Sequence, residues 1–345
     1  MTTQCTIINP IKYPLWNELI LSHDEYTFFH SSHWAKVISE TYGYVPLYFT
    51  VLTDNKIDTL IPVMEVCSAL TGKRGVSLPF SDYCVPIISS DIKARYVLDC
   101  IFEHGASAGW KYVEIRGGTG FLQAKPSSSF NGHVLELSGN ELLLQSQLKK
   151  STLRSINKAV TAGVTINIGH ELQSVKEFYR LHCMTRKRHG LPPQPFCFFK
   201  NIHEQIISKD CGLVILASLN NRTIAGAVYF HFGNKALYKF GASDDRYQQV
   251  RPNNLVMWEA IQCYCRHGYH YFDFGRTDCE NTGLLQFKRG WGGQEYPINY
   301  YRYDFRQKAF IADLPKVKGM RRQIFKMMPI PLLKIAGSVL YQHAG

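Results

Sequence analysis

No stretch of about 18 or more consecutive apolar residues occurs anywhere in the 345-residue chain, so no segment reads as a membrane-spanning helix. The N-terminal MTTQCTIINPIKYP has no basic start followed by an apolar run, the pattern a secretory leader needs. Low-complexity tracts are absent, and so is any sustained heptad repeat. Ten cysteines are present, but none falls in a Cys-x-x-Cys. The closest pair, Cys263 and Cys265, is separated by one residue and points to different faces of a predicted helix. Metal-ligand spacing is therefore missing, and no Ser-His-Asp order stands out. Scattered thiols without a leader suit a reducing cytosol. The expectation is a cytoplasmic chain with no metal and no bound cofactor.

What is there suits a folded, basic protein. Hydrophobic residues make up 45% of the chain and charged residues 19%, enough apolar surface for a packed core. The length suits two domains of ordinary size. Lys and Arg number 39 against 27 Asp and Glu, a net charge of +12. That balance favours polyanionic partners: a phosphorylated co-substrate, RNA or an acidic membrane face.

The stretch Leu237 to Gly293 organises the rest. An aromatic strand, Leu237 to Phe240, leads into Gly241-Ala242-Ser243 and a polar loop carrying Arg246 and Arg251. Pro252 opens a helix, where its missing N–H costs least, and Gly268 closes it. A short strand, Tyr271 to Phe274, ends at Gly275-Arg276; a helical piece then carries Phe287-Lys288 before Gly290-Trp291-Gly292-Gly293. Strand, basic loop, helix N-terminus and strand together can hold an anion, since free N–H groups and the helix dipole converge there. The same pattern also describes an ordinary strand–helix–strand unit with its arginines in water.

The two halves echo each other. Asn55-Lys56 follows one apolar strand and Asn221-Arg222 another, while Gly109 to Arg116 answers Gly268 to Arg276. The offsets, 166 residues for Asn55 and Asn221 and 159 for Glu114 and Asp273, point to duplication of a whole domain. Each copy has a hairpin, a long helix and a late strand, which predicts an α/β fold with mixed sheets and flanking helices. Helices are expected at Pro14–Leu21, through Trp34 to Tyr42 with Ser31 or Ser32 as cap, at Ile92–Ala108 and over most of Gly139–Thr161. Strands are expected at Val45–Leu52, Ile57–Val66, Gly75–Phe80, Val164–Ile168 and Asn299–Phe305. Gly117-Gly118-Thr119-Gly120 lacks a lysine and reads as a turn. Lys149, Lys150, Arg154 and Lys158 recur at three- and four-residue spacing, so several share one helix face, either solvated or set against phosphates.

In order and spacing, Gly241-Ala242-Ser243, Arg246 to Pro252, Trp258, Phe272 to Arg276 and Phe287-Lys288-x-x-Trp291-Gly292 resemble the second domain of FemAB-type transferases. These belong, with the BioF-like enzymes, to the GNAT acyltransferase superfamily. Phe29 to Trp34 resembles the family's Phe-Gln-Ser-x-x-Trp, and Val76 to Tyr83 resembles the strand and loop lining its first-domain cleft. Arg188 takes the arginine position of an Arg-Asp-Gly, with His189 replacing the aspartate. The resemblance runs from about Phe28 to Tyr303. It implies tandem GNAT-like domains: 1–150 on the acceptor side, 151–312 on the donor side, and a basic amphipathic extension over 313–345.

The resemblance also implies roles. Lys288 is associated with the donor and with transition-state charge. Arg246, Arg251, Asn253 and Arg276 fall on the donor side; Trp34, Lys36, Asp82, Tyr83 and Arg188 fall on the acceptor side. Asp273 is one candidate base among several: its apolar strand raises its pKa, or local N–H groups cap it. Two features depart from the bridge-forming members. Ile38 stands where they often carry a lysine, and the coiled-coil insertion is absent. The implied function is therefore N-acyl transfer from a thioester donor such as acyl-CoA to an amine of a cell-envelope sugar or precursor, the acceptor being a small or lipid-linked glycan. The alternatives are an aminoacyl-tRNA-dependent bridge-forming aminoacyltransferase and a non-catalytic RNA- or membrane-binding module.

From Asp313 onward the chain carries six Lys and Arg against Asp313 alone, among many apolar residues. Pro329 and Pro331 split it into predicted helices at Lys316–Met328 and Leu332–Tyr341. Such a tail lies on the cytoplasmic face of an anionic membrane, as a peripheral contact, or docks on the protein's own core.

Overall fold

The computed structural model describes residues 4–118, 122–312 and 320–345. The chain forms two compact units. One comprises Met1–Phe130, Pro297–Lys316 and Leu340–Gly345; the other comprises Asn131–Tyr296 and Val317–Val339.

The first unit begins with β1 (Cys5–Ile8), α1 (Trp16–Leu21), α2 (Ser32–Tyr42), β2 (Val45–Thr53) and β3 (Lys56–Ser68). It continues with β4 (Gly72–Val76), β5 (Ile87–Ile88), α3 (Asp91–Ala108) and β6 (Tyr112–Arg116). β1 to β4 form an antiparallel run, and β4 then pairs parallel with β6. On the far side of β6 lies Tyr300–Asp304, antiparallel, with Tyr300 opposite Arg116. Asp54 and Asn55 both take the left-handed conformation (φ 50° and 61°), the mirror-image turn that matches strand twist. Ser31 caps α2 by accepting from Trp34 N, and Ser90 caps α3 by accepting from Lys93 N. Ala94, Val97, Leu98 and Ile101 put a buried stripe of α3 on the sheet, against residues such as Val63, Val113 and Ile115.

β7 (Ser128–Glu136) carries the chain into the second unit. There follow α4 (Glu141–Gln147), α5 (Lys150–Thr161), β8 (Thr165–Gly169), α6 (Leu172–Arg188), α7 (Phe196–Gln205), β9 (Gly212–Leu219), β10 (Arg222–Phe232) and β11 (Lys235–Ser243). Then come α8 (Pro252–Arg266), β12 (Tyr271–Asp273), β13 (Thr277–Asp278), α9 (Thr282–Lys288) and β14 (Gln294–Asp304), which returns to the first unit. β8 to β11 are antiparallel, β11 pairs parallel with β12, and β7 flanks β12 antiparallel with Val134 opposite Asp273. The topology repeats that of the first unit, down to the hairpin turn, where Asn220 and Asn221 are both left-handed (φ 50° and 59°). β6 and β12 hold the same place, each between a parallel and an antiparallel neighbour. β10 is buried from Ile224 to Phe230, so both sheet faces are covered. Ala225, Ala227 and Tyr229 share a core with Leu255, Ile261 and Tyr264 of α8; Gly226 faces Phe178 of α6.

Three expected elements differ. The strand read over Gly75–Phe80 stops at Val76, because Leu78 and Phe80 turn left-handed (φ 54° and 61°). The helix read over Gly139–Thr161 breaks at Leu148 and Lys149, both extended, where Lys149 N donates to Gly290 O (3.0 Å). β7, α6 and α7 are further elements beyond those the sequence pattern marks out. Of the Gly117–Gly120 turn, Gly117 and Gly118 are left-handed (φ 98° and 88°); Thr119 and Gly120 lie outside the described residues.

The chain closes with β15 (Ala309–Ile311), α10 (Met320–Met327) and α11 (Ile330–Tyr341). Asp313, Lys316, Lys318 and the Arg321 side chain lie outside the described residues. Leu333 of α11 is fully buried, and Gly337 sits against Pro193 O, where a Cβ would clash. In the first unit Arg74 donates from Nε to Gly345 O (2.7 Å) and from its guanidinium to His343 O (2.8 Å). Among the described residues no helix is long and apolar enough to cross a membrane.

Candidate active site

In the second unit the end of β12 makes a tight turn through Gly275 (φ 68°). The Asp273 carboxylate holds it, accepting from Gly275 N (2.5 Å) and from Tyr296 Oη (2.8 Å). Of the two readings of Asp273, local capping is what the geometry shows. α9 ends at Lys288, whose side chain is 1% exposed. Its Nζ donates to Gly275 O (2.7 Å) and Arg276 O (3.3 Å). Asn281 starts α9 by accepting from Leu284 N, and Phe287 packs edge-on against the buried Trp291 (5.7 Å between centroids). Strand end, turn and helix end therefore fix one ammonium against two carbonyl dipoles.

His133 on β7 stands beside this turn, its carbonyl accepting from Phe274 N (2.9 Å). Its ring is fully buried, with Nε2 3.4 Å from Glu295 Oε2. Burial first, then the Lys288 charge, lowers its pKa, so the imidazole is neutral near pH 7. Glu295 is itself gripped by both sides of the Arg289 fork (2.6 and 2.8 Å). Sequence reading misses His133 because the strand carrying it alternates too weakly to be recognised.

The donor-side candidates divide. Arg246 clamps the buried Asp244 through Nε (3.0 Å) and Nη2 (2.6 Å), with Arg222 3.7 Å from the same carboxylate. Hydrogen bonds from Arg246 hold the Asp244 carboxyl below its usual range even though burial opposes them. Arg246 is thus tied to the loop's own structure. Arg251 is exposed and left-handed (φ 58°) immediately before α8. Asn253 donates to Ser243 Oγ (3.3 Å), and Ser243 is bound on its backbone by Thr185 of α6. Arg276 is half-buried beside Lys288.

Beside the same site lies α5. Thr152, Ile156 and Ala159 face inward; Lys150, Arg154 and Lys158 face outward, with Lys149 just before them. No Asp or Glu occurs between Glu141 and Glu171, and none of the four cations makes an ion pair among the described residues. Two exposed helical lysines elsewhere do: Lys36 pairs with Glu40 and Lys200 with Glu204 one turn on. The start of α5 is fixed to the turn after Lys288. Besides the Lys149–Gly290 bond, Thr152 occupies the space where a Gly290 Cβ would be. α5 also touches the 245–250 turn that carries Arg246.

The acceptor-side candidates lie mostly in the first unit. Trp34 is fully buried, edge-on to Phe29 (5.3 Å), and Phe29 in turn meets Tyr83 edge-on (6.3 Å). Asp82 O accepts from Tyr300 Oη (2.6 Å), and Arg116 donates to Leu78 O (3.2 Å) while lying over the Tyr300 ring (5.2 Å). Asp82 and Tyr83, with Trp34 behind them through Phe29, thus follow a loop in which two bulky residues keep positive φ, a strain of about 1–3 kcal/mol each that persists only where the surroundings enforce it. Glu114 anchors Arg116 (2.9 Å) and Arg302 (2.6 Å); burial pushes its carboxyl up, but the two guanidinium groups outweigh it and hold the pKa down. Lys36 lies apart, paired with Glu40 at 3.8 Å. Arg188 belongs to the second unit, half-buried at the end of α6. Among the described residues no group of three or more His, Cys, Asp and Glu side chains is placed to hold a metal.

A duplicated mixed α/β unit with a strand–turn–helix site at one sheet end is a tandem GNAT-like fold, and comparison with known proteins agrees. Residues 146–289 match the acetyltransferase (GNAT) domain family. The chain is similar to FemAB-type members of that superfamily. It is 37% identical over 75 residues to a lipid II:glycine glycyltransferase of Staphylococcus epidermidis, a match covering 20% of this chain and 18% of that protein. A counterpart from Staphylococcus haemolyticus is 35% identical over 98 residues, covering 26% and 23%. The chain thus matches about a fifth of the length of these curated relatives. Two solved structures share the fold. The crystal structure of FemX has a TM-score of 0.68 at 16% identity, covering 89% of this chain and 98% of FemX. A tandem GNAT protein from the clavulanic acid biosynthesis pathway has a TM-score of 0.58 at 8% identity, covering 88% and 99%.

Proposed function

We propose that this chain is an aminoacyltransferase that moves an aminoacyl group from the ester of a charged tRNA to an amine of a lipid-linked cell-wall precursor. This reading is favoured over the thioester donor expected from sequence, since the similar staphylococcal proteins are named for glycyl transfer to lipid II. The observation that carries the donor assignment is α5. Four cations without acidic partners, fixed to the turn that follows Lys288, suit the phosphates of an extended nucleic-acid backbone better than the few phosphates of a coenzyme.

The acceptor amine attacks the ester carbonyl, forming the C–N bond and an oxyanion. Collapse breaks the ester C–O bond, and the released ribose hydroxyl takes up the proton the amine loses. Lys288, held on Gly275 O, supplies positive potential to that oxyanion. Arg251, Asn253 and Arg276 position the donor in the second unit. The first unit presents the acceptor at the strained Leu78–Phe80 loop, with Trp34, Asp82 and Tyr83 around it. Lys36 and Arg188 stand as more remote contacts to the acceptor's anionic groups. A lipid-linked acceptor places the enzyme at the cytoplasmic face of a membrane.

The test is product mass after incubation of the purified chain with a lipid-linked muropeptide and either a charged tRNA pool or a panel of acyl-CoA donors. An aminoacyl mass increment abolished by RNase is expected. Transfer from acyl-CoA that survives RNase would overturn the assignment.

A further inference from the structure

The buried side of α11 is accounted for by Leu333 and Gly337; its opposite side is not. Leu332, Ile335 and Val339, at positions i, i+3 and i+7, are 53%, 61% and 50% exposed on one face. On α10, Ile324 and Met327 are 58% and 82% exposed. Large apolar side chains this exposed on consecutive short helices are unusual on a protein surface that meets only water.

The charge around them has one sign. No acidic residue occurs from Leu314 to Gly345. Arg322 and Lys326 of α10 lie close enough to His189, at the end of α6, to depress its pKa together with Arg186 and Arg188, after burial. Backbone packing agrees, since Gly190 sits directly on Arg322 O. Arg188, Arg322, Lys326 and Lys334 make no ion pair among the described residues. Beside the exposed face of α11 lies an open cavity of about 460 Å³, lined by Lys176, Tyr179, Pro195, Phe196, Lys334 and Ser338. Lys334 lies over the Tyr179 ring (5.2 Å), and the residues lining the cavity carry two ammonium groups, two hydroxyls and two aromatic rings, with no carboxylate.

We infer that α10 and α11 form an in-plane docking site for an anionic bilayer, with the cavity at Lys176 and Lys334 receiving a lipid phosphate. Apolar side chains enter the acyl boundary while the cations meet the headgroups, the arrangement that holds amphipathic helices at an interface. α11 cannot span a bilayer, and Leu333 keeps it attached to the second unit. The inference rests on the membrane placement that a lipid-linked acceptor requires. It stands apart from the chemistry, since none of these residues belongs to the Lys288 site.

The experiment is co-sedimentation of the full chain with vesicles of phosphatidylcholine alone or mixed equally with phosphatidylglycerol. Binding only to the mixed vesicles, weakened by salt, is expected. Lys326→Gln and Lys334→Gln should each lower the partition coefficient about five-fold, the equivalent of about 1 kcal/mol per basic residue. Met327→Ser with Ile335→Ser should weaken binding without changing charge, while unfolding curves and transfer to a water-soluble acceptor stay as in the parent chain. Equal binding by parent and variants, or none by the parent, would overturn the inference and leave the transferase assignment standing. Competition by inorganic phosphate at low millimolar concentration, with no weakening in the serine variants, would mark the cavity as a small-anion site and overturn it too.

Discussion

The Lys288 ammonium donates a 2.7 Å hydrogen bond to the carbonyl of Gly275, tying the end of α9 to the turn that leaves β12. Thirteen residues separate them in sequence. The bond joins two of the segments of the second unit that carry family-like motifs, so the lysine both positions the turn and sets the local potential.

Lys288→Ala is expected to lower kcat by about two to three orders of magnitude, the loss typical of one donor to an oxyanion. Lys288→Arg keeps the charge but not the compact head that fits between two carbonyls, and should recover little. Steady-state kinetics on both variants checks this, with unfolding midpoints as the control. Full activity in Lys288→Ala would remove the residue from the reaction.

Gly290→Ala should destabilise the second unit by about 1–3 kcal/mol, because the new methyl meets Thr152 Oγ1 in a packed region. Thr152→Ala should restore most of it, since the next atom, Thr152 Cβ, is 3.7 Å away. Urea unfolding of the two single variants and the double variant measures the coupling. Additive effects would show that Thr152 is not what requires glycine here.

His182 is buried among aromatic rings, stacked with Tyr179 and tilted against Phe199, with Nε2 2.8 Å from Gln194 Oε1. Burial, followed by Arg186, brings its pKa down to about 3. The folded state therefore binds its proton less readily than the unfolded state, whose histidines titrate near 6.5. Its contribution to stability is complete above pH of about 6.5 and declines as pH falls toward 3, by up to about 1.4 kcal/mol per pH unit. Unfolding free energies at pH 7 and pH 5 should differ less in His182→Phe than in the parent. An unchanged difference would reject the assignment.

Replacing Lys150, Arg154 and Lys158 by glutamine should weaken tRNA binding uniformly across sequences. The slope of log affinity against log salt should fall by about 0.9 for each duplex phosphate that is no longer neutralised. Filter binding at several salt concentrations measures it. An unchanged slope would make the outer face of α5 a solvated surface.

Much of this protein follows from short-range pattern alone. Period-two and helical spacings, the Asn55 and Asn221 turns, the Pro252 and Gly268 helix ends and the repeated strand–turn segments all act within a few residues of one another. Local sterics and capping suffice to specify them, and so the duplicated α/β architecture and the motif around Lys288 are legible in the sequence. Whatever depends on distant partners is set only once the chain has folded. The first sheet is completed by a strand from residues 297–304 and the second by 131–136, because hydrogen bonding between strands carries no local signature. β4 ends at Val76, where Arg116, Ser81 and Tyr300 hold the next loop left-handed against the preference of Leu78 and Phe80. Asp244 takes up the Arg246 fork, and Asp273 serves as a turn cap; each depends on which neighbour reaches the group, and composition does not reveal that. His133 joins the Lys288 surroundings for the same reason: a residue more than 150 positions away in the chain becomes its neighbour only when the sheet has formed.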